Sequence, residues 1–273
     1  MGCDIAEKYR ICADGLRSFV ESSGFTDAVI GLSGGIDSSV VACICADVLG
    51  SSHVHGYLLP GPYSSEHSIT DAQMLANARE ISCERVSIVD AYESFARAIA
   101  PHCQGRAFRG LAAENTQARC RMIVLMALSN DYGWMLVNTG NKSESCMGYS
   151  TLYGDTAGAY APIGGLYKTD VFAMARYINE QAGKRGLRAP IPEHVLTKPP
   201  SAELAPDQTD EATLGSYALL DAILIDHVER GMDEDELIAA GYSAEDVHRI
   251  VAQTARFAFK RALEPVFPVI PYA

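Results

Sequence analysis

The chain has 273 residues, 48% apolar and 21% charged, enough for one large domain with a substantial core or for two small ones. A formal charge of -12 argues against a nucleic-acid backbone as partner, which would call for a broad basic face, whereas a polyanionic small molecule needs only a local cluster of cations. There is no apolar run of bilayer length, no export signal in the first ten residues and no C-x-x-C among the eight cysteines, so the expectation is a cytoplasmic chain with reduced thiols and no membrane partner.

Ile5, Tyr9, Cys12, Leu16, Phe19 and Val20 recur at helical spacing and predict an amphipathic first helix. Residues 28–32 form a short apolar run, read as a strand, which stops at Ser33-Gly34-Gly35; a helix rich in alanine and valine runs on to about residue 48. The alternation continues with a strand at 54–59, a helix at 68–80, a strand at 85–89 and a helix near 91–100. A long helix over about 115–130 contains the apolar stretch 122–128, which predicts burial, and 134–137 reads as a fourth strand. This pattern predicts a doubly wound, Rossmann-like α/β fold: a parallel sheet covered on both faces.

Met122, Met126 and Met135 read as core filler. Residues 140–165 are rich in Gly, Ser, Thr and Tyr without a period, the mark of a long functional loop. From Lys168 the pattern is helical, with a proline-rich break over 190–206 and a last helix presenting Val247, Ile250, Val251, Thr254 and Phe257 on one face. The expected organisation is a single domain, with an α/β core at about 24–165 and a helical extension at about 166–273.

The segment Ser33-Gly34-Gly35-Ile36-Asp37-Ser38-Ser39 sits at a strand-to-helix junction. Its glycines permit positive φ and close approach of the backbone, and the helix start offers free N–H groups and the positive end of a dipole. With three serine hydroxyls added, the turn reads as an anion-binding nest. It has neither the lysine of a Walker A loop nor the G-x-G-x-x-G of a dinucleotide fingerprint. Asp37 would repel a phosphate unless a cation, magnesium, stood between them. The plainer alternative is a tight turn with Asp37 as a first-turn acid. Ser64-Ser65-Glu66-His67 is a helix-capping signature, and His53 and His55 read as structural.

The glycine turn resembles the pyrophosphate loop of N-type ATP pyrophosphatases. Glu114-Asn115-Thr116-Gln117-Ala118-Arg119, Thr139-Gly140-Asn141-Lys142-Ser143-Glu144 and Tyr153-Gly154-Asp155 are then similar, in order and spacing, to the NAD synthetase family. So are the run from Pro162 to Thr169 and Pro200-Ser201-Ala202-Glu203-Leu204. Thr151-Leu152-Tyr153-Gly154-Asp155 and Phe259-Lys260-Arg261 lie nearer the synthetase half of glutamine-dependent members, although no glutaminase chemistry is visible. Two features depart from the family pattern: Ala159 stands where short bacterial members carry an acid, and the tail after Arg261 lacks the Pro-Gly-x-Lys pattern.

The resemblance implies ATP-dependent amidation of deamido-NAD to NAD through an acyl adenylate, with ammonia as nitrogen donor, free or supplied by a separate glutaminase, in a homodimer. It implies that Ser33, Gly34, Gly35, Ile36, Asp37, Ser38 and Ser39 hold the ATP phosphates, and that Asp37 and Glu144 hold Mg²⁺. Lys168 and Ser201 would join the phosphates, and Arg119 and Thr139 the adenosine and α-phosphate. Lys260 and Arg261 would reach the dinucleotide phosphates, and Asp155 would bind ammonium and help yield ammonia. Each role has a plainer counterpart: Glu144 paired with Lys142, Arg119 with Glu114, Lys168 on a helix surface, Asp155 capping a turn, and Lys260 and Arg261 as a solvated pair. The rival functions are another N-type pyrophosphatase, such as a tRNA-modifying enzyme, and a nucleotide-binding module without turnover.

Overall fold

In the computed structural model, which describes residues 3–206 and 208–272, the first helix α1 (Ile5–Ser23) begins where the Asp4 carboxylate accepts the Glu7 N–H at 2.8 Å and ends at Gly24, whose φ is 77°. β1 (Ala28–Gly31) follows, its first three residues buried, which is why it reads as an unbroken apolar run. α2 (Ile36–Leu49), β2 (Val54–Leu58), α3 (Glu66–Arg79) and β3 (Ser82–Arg85) continue the alternation. Ser65 caps α3 as its sequence predicts, accepting the Ser68 N–H. α4 (Val89–Ile99), α5 (Leu111–Tyr132) and the short β4 (Met135–Leu136) complete the α/β portion.

The four strands are parallel in the order β3-β2-β1-β4. α1, α2 and α3 share one apolar cluster below the sheet, and Ile88, Cys120 and Leu125 meet Val29, Tyr57 and Leu136 on the other face. From β1 the chain moves outward to β2 and β3, then returns to the opposite side of β1 as β4. Such a reversal opens a crevice at the carboxyl ends of the strands, and ligands bind there. Beyond β4, single parallel bridges join Val137 to Tyr160 and Tyr160 to Val266, so the last described segment extends the sheet.

α6 (Lys142–Met147) and α7 (Lys168–Lys184) lead into α8 (Glu193–Thr197), α9 (Asp210–Leu214), α10 (Tyr217–Leu224), α11 (Glu234–Ala239) and α12 (Ala244–Arg256). α7 packs on α1 and α2, whereas Leu220, Ile223, Leu237, Val247 and Ile250 form their own cluster against Cys146, Met147 and Tyr167. No helix among the described residues is long and apolar enough to cross a membrane.

Several expectations shift. The third strand lies at Ser82–Arg85 rather than 85–89: as a sheet edge it needs no apolar residues, and the apolar Ile88 is instead a buried residue of the loop that follows. Residues 140–165 contain α6, whose start is set by the Asn141 side chain accepting the Glu144 N–H at 3.0 Å. Within 122–128 only Leu125 is buried; Ile123 and Met126 are exposed, because the sheet covers one stripe of α5 and a continuous apolar run wraps the whole helix. Of the three methionines, Met135 is core and Met126 is surface.

Candidate active site

The glycine turn is held by its own hydroxyls. The Ser38 oxygen accepts the Ser33 N–H at 3.3 Å and lies 3.0 Å from Ser33 Oγ and 3.2 Å from the Gly35 carbonyl, and Ser39 Oγ donates to that carbonyl at 2.7 Å. Both buried serines therefore shape the turn. Gly34 has φ +74°, and a Cβ there would lie 2.0 Å from the Ser68 carbonyl oxygen at the start of α3. Gly35 ends the turn as the N-cap of α2, and no side chain caps that helix. A 14-residue helix thus presents bare N–H groups at the crevice.

Opposite this helix start stands Lys168, the first residue of α7 and only 2% exposed. Its Nζ lies 2.6 Å from Asp37 Oδ2 and 2.9 Å from Glu144 Oε1. Asp37 Oδ1 accepts from Asn141 Nδ2 at 2.8 Å, so the asparagine that caps α6 also fixes the aspartate. Asp210 lies within electrostatic reach of Lys168; its Oδ2 accepts from the Tyr217 hydroxyl at 3.1 Å, and its buried Oδ1 has no partner. Burial pushes the Glu144 carboxyl up to about 7 against the pull of the Lys168 ammonium. Burial also works against the lysine charge, but Asp37 and Glu144 outweigh it and hold the ammonium above the ordinary lysine range. Lys142 pairs with Glu229, which leaves Glu144 to Lys168.

These oxygens suit a hard cation. Among the described residues no three His, Cys, Asp or Glu side chains converge as a complete metal cage. Magnesium matches that limit, since it takes one or two carboxylates and completes its shell with substrate phosphates and water.

A cleft of about 350 Å³ runs from this cluster over the strand ends. Ser33, Gly35, Ile36, Asp37, Ser38, Thr139, Glu144, Asp155, Lys168 and Ser201 all line it, so ten of the residues expected from the sequence meet in one place. Asp155 is exposed to the cleft yet walled by protein, and that crowding raises its carboxyl to about 6 while leaving it reachable. It also accepts the Thr151 N–H, so the turn cap and the cleft position coexist in one side chain. Asn138 braces the loop by donating to the Asp155 and Ala157 carbonyls at 2.7 and 2.9 Å.

Other residues sit elsewhere. Gly34 and Ser39 stand behind the turn. Arg119 does not pair with Glu114; its Nε donates to the Leu152 carbonyl at 3.1 Å, and the arginine on the cleft wall is Arg121, anchored to the Leu59 carbonyl at 3.0 Å. Ser201, although on the cleft wall, donates its hydroxyl to the Gln208 carbonyl. Lys260 Nζ donates to the Gly148 and Ser150 carbonyls at 2.7 and 2.6 Å, beneath the 148–155 loop, and Arg261 donates to the Cys146 and Thr254 carbonyls at the ends of α6 and α12, so each cation is held by backbone carbonyls. Lys198 also lines the cleft, 3.2 Å from both Ser68 Oγ and Asp71 Oδ2. Arg121, Asn141, Lys198 and Asp210 are the residues to which the sequence assigned no role. Asn141 alone lay inside a recognised motif.

The NAD synthase family model matches residues 8–264. The glutamine-dependent NAD(+) synthetase of Thermotoga maritima is 43% identical over 255 residues, 93% of this chain and 43% of that protein. The chain spans less than half the length of the curated relatives it matches. Among solved structures, the glutamine-dependent NAD+ synthetase of Acinetobacter baumannii in complex with ADP is 34% identical with a TM-score of 0.68, over 98% of this chain and 47% of that one. The NH3-dependent NAD synthetase of Campylobacter jejuni is 26% identical with a TM-score of 0.72, over 94% of this chain and 96% of that one.

Proposed function

The chain belongs to the NAD synthase family, and from that premise we propose that it amidates the nicotinate carboxylate of deamido-NAD with ammonia, converting ATP to AMP and pyrophosphate. A carboxylate is a poor acyl donor because its leaving group would be oxide. Attack of a carboxylate oxygen on the ATP α-phosphorus breaks the bond to the bridging oxygen, forms an acyl adenylate and releases pyrophosphate. Ammonia then adds to the acyl carbon, AMP leaves with the linking oxygen, and the surplus proton passes to a base. The carrying observation is the Asp37–Lys168–Glu144 cluster set against the uncapped start of α2 at the sheet's reversal point.

In this reading the segment Ser33, Gly34, Gly35, Ile36, Asp37, Ser38 and Ser39 receives the phosphates, and Lys168 neutralises the charge that grows on the leaving pyrophosphate. Asp37 and Glu144 would hold Mg²⁺, which when bound screens carboxylates and phosphates from one another. Thr139 and Ser201 add hydroxyls; Arg121 stands on the cleft wall at the adenosine side, while Arg119, expected there, is tied to the Leu152 carbonyl behind it. Lys260, expected with Arg261 at the dinucleotide phosphates, supports the floor of the 148–155 loop, and Arg261 joins α6 to α12 beside it. An ADP complex of a relative and the near full-length likeness to an ammonia-dependent structure support ATP and ammonia as substrates.

Incubation with ATP, Mg²⁺, ammonium and deamido-NAD is expected to yield NAD and AMP in equal amounts, whereas a tRNA-modifying enzyme or a binding module would yield no NAD. Glutamine in place of ammonium should be at least about tenfold slower, because none of the residues assigned to the cleft has a role in freeing its nitrogen. Equal rates would overturn ammonia as the direct donor; a separate glutaminase that restored the rate would supply it.

Asp155 is assigned the proton of ammonium. With a carboxyl near 6, kcat at saturating ammonium should rise with pH through about 6, and Asp155→Asn should flatten that limb and lower the plateau about 10²-fold. The folded-state value lies above the ordinary one, so the stability held by the neutral form is lost as pH rises through 6. Asp155→Asn should therefore unfold no earlier than the parent at pH 8, with the difference gone near pH 3. An unchanged pH profile would remove Asp155 from the reaction.

The reading includes a homodimer. α4 is apolar along Tyr92, Phe95 and Ile99 yet has no buried residue, and α5, which packs on α4, exposes Ile123 and Met126. Paired faces of this kind fit a second copy of the chain.

A further inference from the structure

Lys168 opens α7, and a lysine at a helix start gains nothing from the helix dipole. Tyr167, the N-cap residue, offers no side-chain cap either. Three remote side chains serve instead. The Tyr167 N–H donates to the Tyr272 hydroxyl at 3.2 Å, the Lys168 N–H to Ser143 Oγ at 2.8 Å and the Thr169 N–H to Asp221 Oδ2 at 2.7 Å. Ser143 in turn donates to Asp221 Oδ1 at 2.6 Å. The backbone that carries Lys168 is thus set by α6, α10 and the last described segment together.

That segment is tied in closely. The Tyr272 hydroxyl donates to Asp170 Oδ2 at 2.7 Å and lies 3.3 Å from the Gly165 carbonyl. Lys8 Nζ reaches the same Asp170 oxygen at 2.7 Å and stands 4.3 Å from the centre of the Tyr272 ring. Upstream, Glu264 Oε2 accepts from Ser145 Oγ at 2.7 Å, one residue after Glu144, and Phe267 lines the cleft. Residues 264–272 therefore brace both the Lys168 side and the Glu144 side of the cluster.

We propose that residues 264–272 form a positioning strap for the reaction assigned above, and that Tyr272 is a positioning residue acting through the start of α7 on the Lys168 ammonium. The proposal rests on the reading of Lys168 as a phosphate ligand. Tyr272→Phe keeps the ring beneath Lys8 and removes only the hydroxyl that holds Asp170 and the Tyr167 N–H. Misplacement of one charge at a phosphate should lower kcat about tenfold while leaving the KM for ammonium unchanged.

The test is a double-mutant cycle in the full chain, with Tyr272→Phe, Lys168→Ala and both together. It is read by amidation kinetics, by calorimetric ATP affinity and by melting temperature. If Tyr272 acts through Lys168, its substitution costs about tenfold in kcat in the parent and nothing further once Lys168 is alanine. A full additional loss in the double variant, or parental kcat in Tyr272→Phe, would overturn the strap. A parent chain that binds ATP but makes no NAD would count against the amidation alone, since the same cycle read in ATP affinity still decides the coupling. Loss confined to melting temperature would assign Tyr272 to stability and reject the positioning role.

Discussion

Asp37→Ala is expected to fold, to melt within a few degrees of the parent and to lose about 10³-fold in pyrophosphate release, roughly 4 kcal/mol of transition-state stabilisation. The two outcomes have different physical origins. Removal of the carboxylate leaves Lys168 still 2.9 Å from Glu144, so no buried charge becomes isolated, and the structural cost is limited to the lost contacts with Lys168 and Asn141, about 1–2 kcal/mol. The catalytic cost is larger because Asp37 is the one carboxylate in the cluster carried by the turn proposed to receive the phosphates, at the second residue of α2. Pyrophosphate release and thermal unfolding measured on the same preparation separate the two. Near-parental turnover would remove Asp37 from the proposed magnesium site, and a collapse in melting temperature would make its role structural.

Much of this site is legible in the sequence because it is built from contiguous signals. β1 is followed by Ser33-Gly34-Gly35, whose glycines permit the positive φ found at Gly34 and, lacking side chains, leave the helix after Gly35 uncapped. The alternation of strands and helices is legible for the same reason, since each strand but β3 is largely buried and, apart from His55 in β2, lacks polar side chains. β3 escapes because an edge strand carries no such mark.

What is hidden depends on three-dimensional convergence. Arg119 and Arg121 are two positions apart, about 200° around a helix, and only the seating of α5 on β1 decides that Arg121 faces the cleft. Asp210 and Lys198 carry no local mark of a site, and they reach the cleft through long-range contacts: Lys198 to Ser68 and Asp71, Asp210 to Tyr217 and the Pro200 carbonyl, with Glu203 between them tied to the Ser65 and Ser68 hydroxyls. The lysine cluster is the clearest case. Asp37, Glu144 and Lys168 each carry a bland local reading, and it is the shared ammonium that gives them a common role.

Gly34→Ala should be severely damaging, since among the described glycines this is the position where an added Cβ meets its neighbour most closely. At φ +74° an L side chain costs about 1 kcal/mol, and the new Cβ would also lie 2.0 Å from the Ser68 carbonyl oxygen. That neighbour is backbone, so no rotamer change relieves the overlap. Ser68 cannot easily retreat, because its hydroxyl donates to Glu203 at 2.7 Å and its N–H to the Ser65 cap. Either α3 moves outward or the turn opens, for a total of at least about 3 kcal/mol and a fall of about 10 °C in melting temperature. Opening the turn also reorients the N–H groups of α2, so calorimetric ATP affinity should fall by at least about tenfold. Gly24→Ala is the control: Gly24 has φ +77° but nothing within 4 Å of its added Cβ, so it should lose only the conformational share and keep full ATP affinity. Equal losses in the two variants would mean that the turn is not braced by α3, and that the phosphate seat owes its shape to glycine's backbone freedom alone.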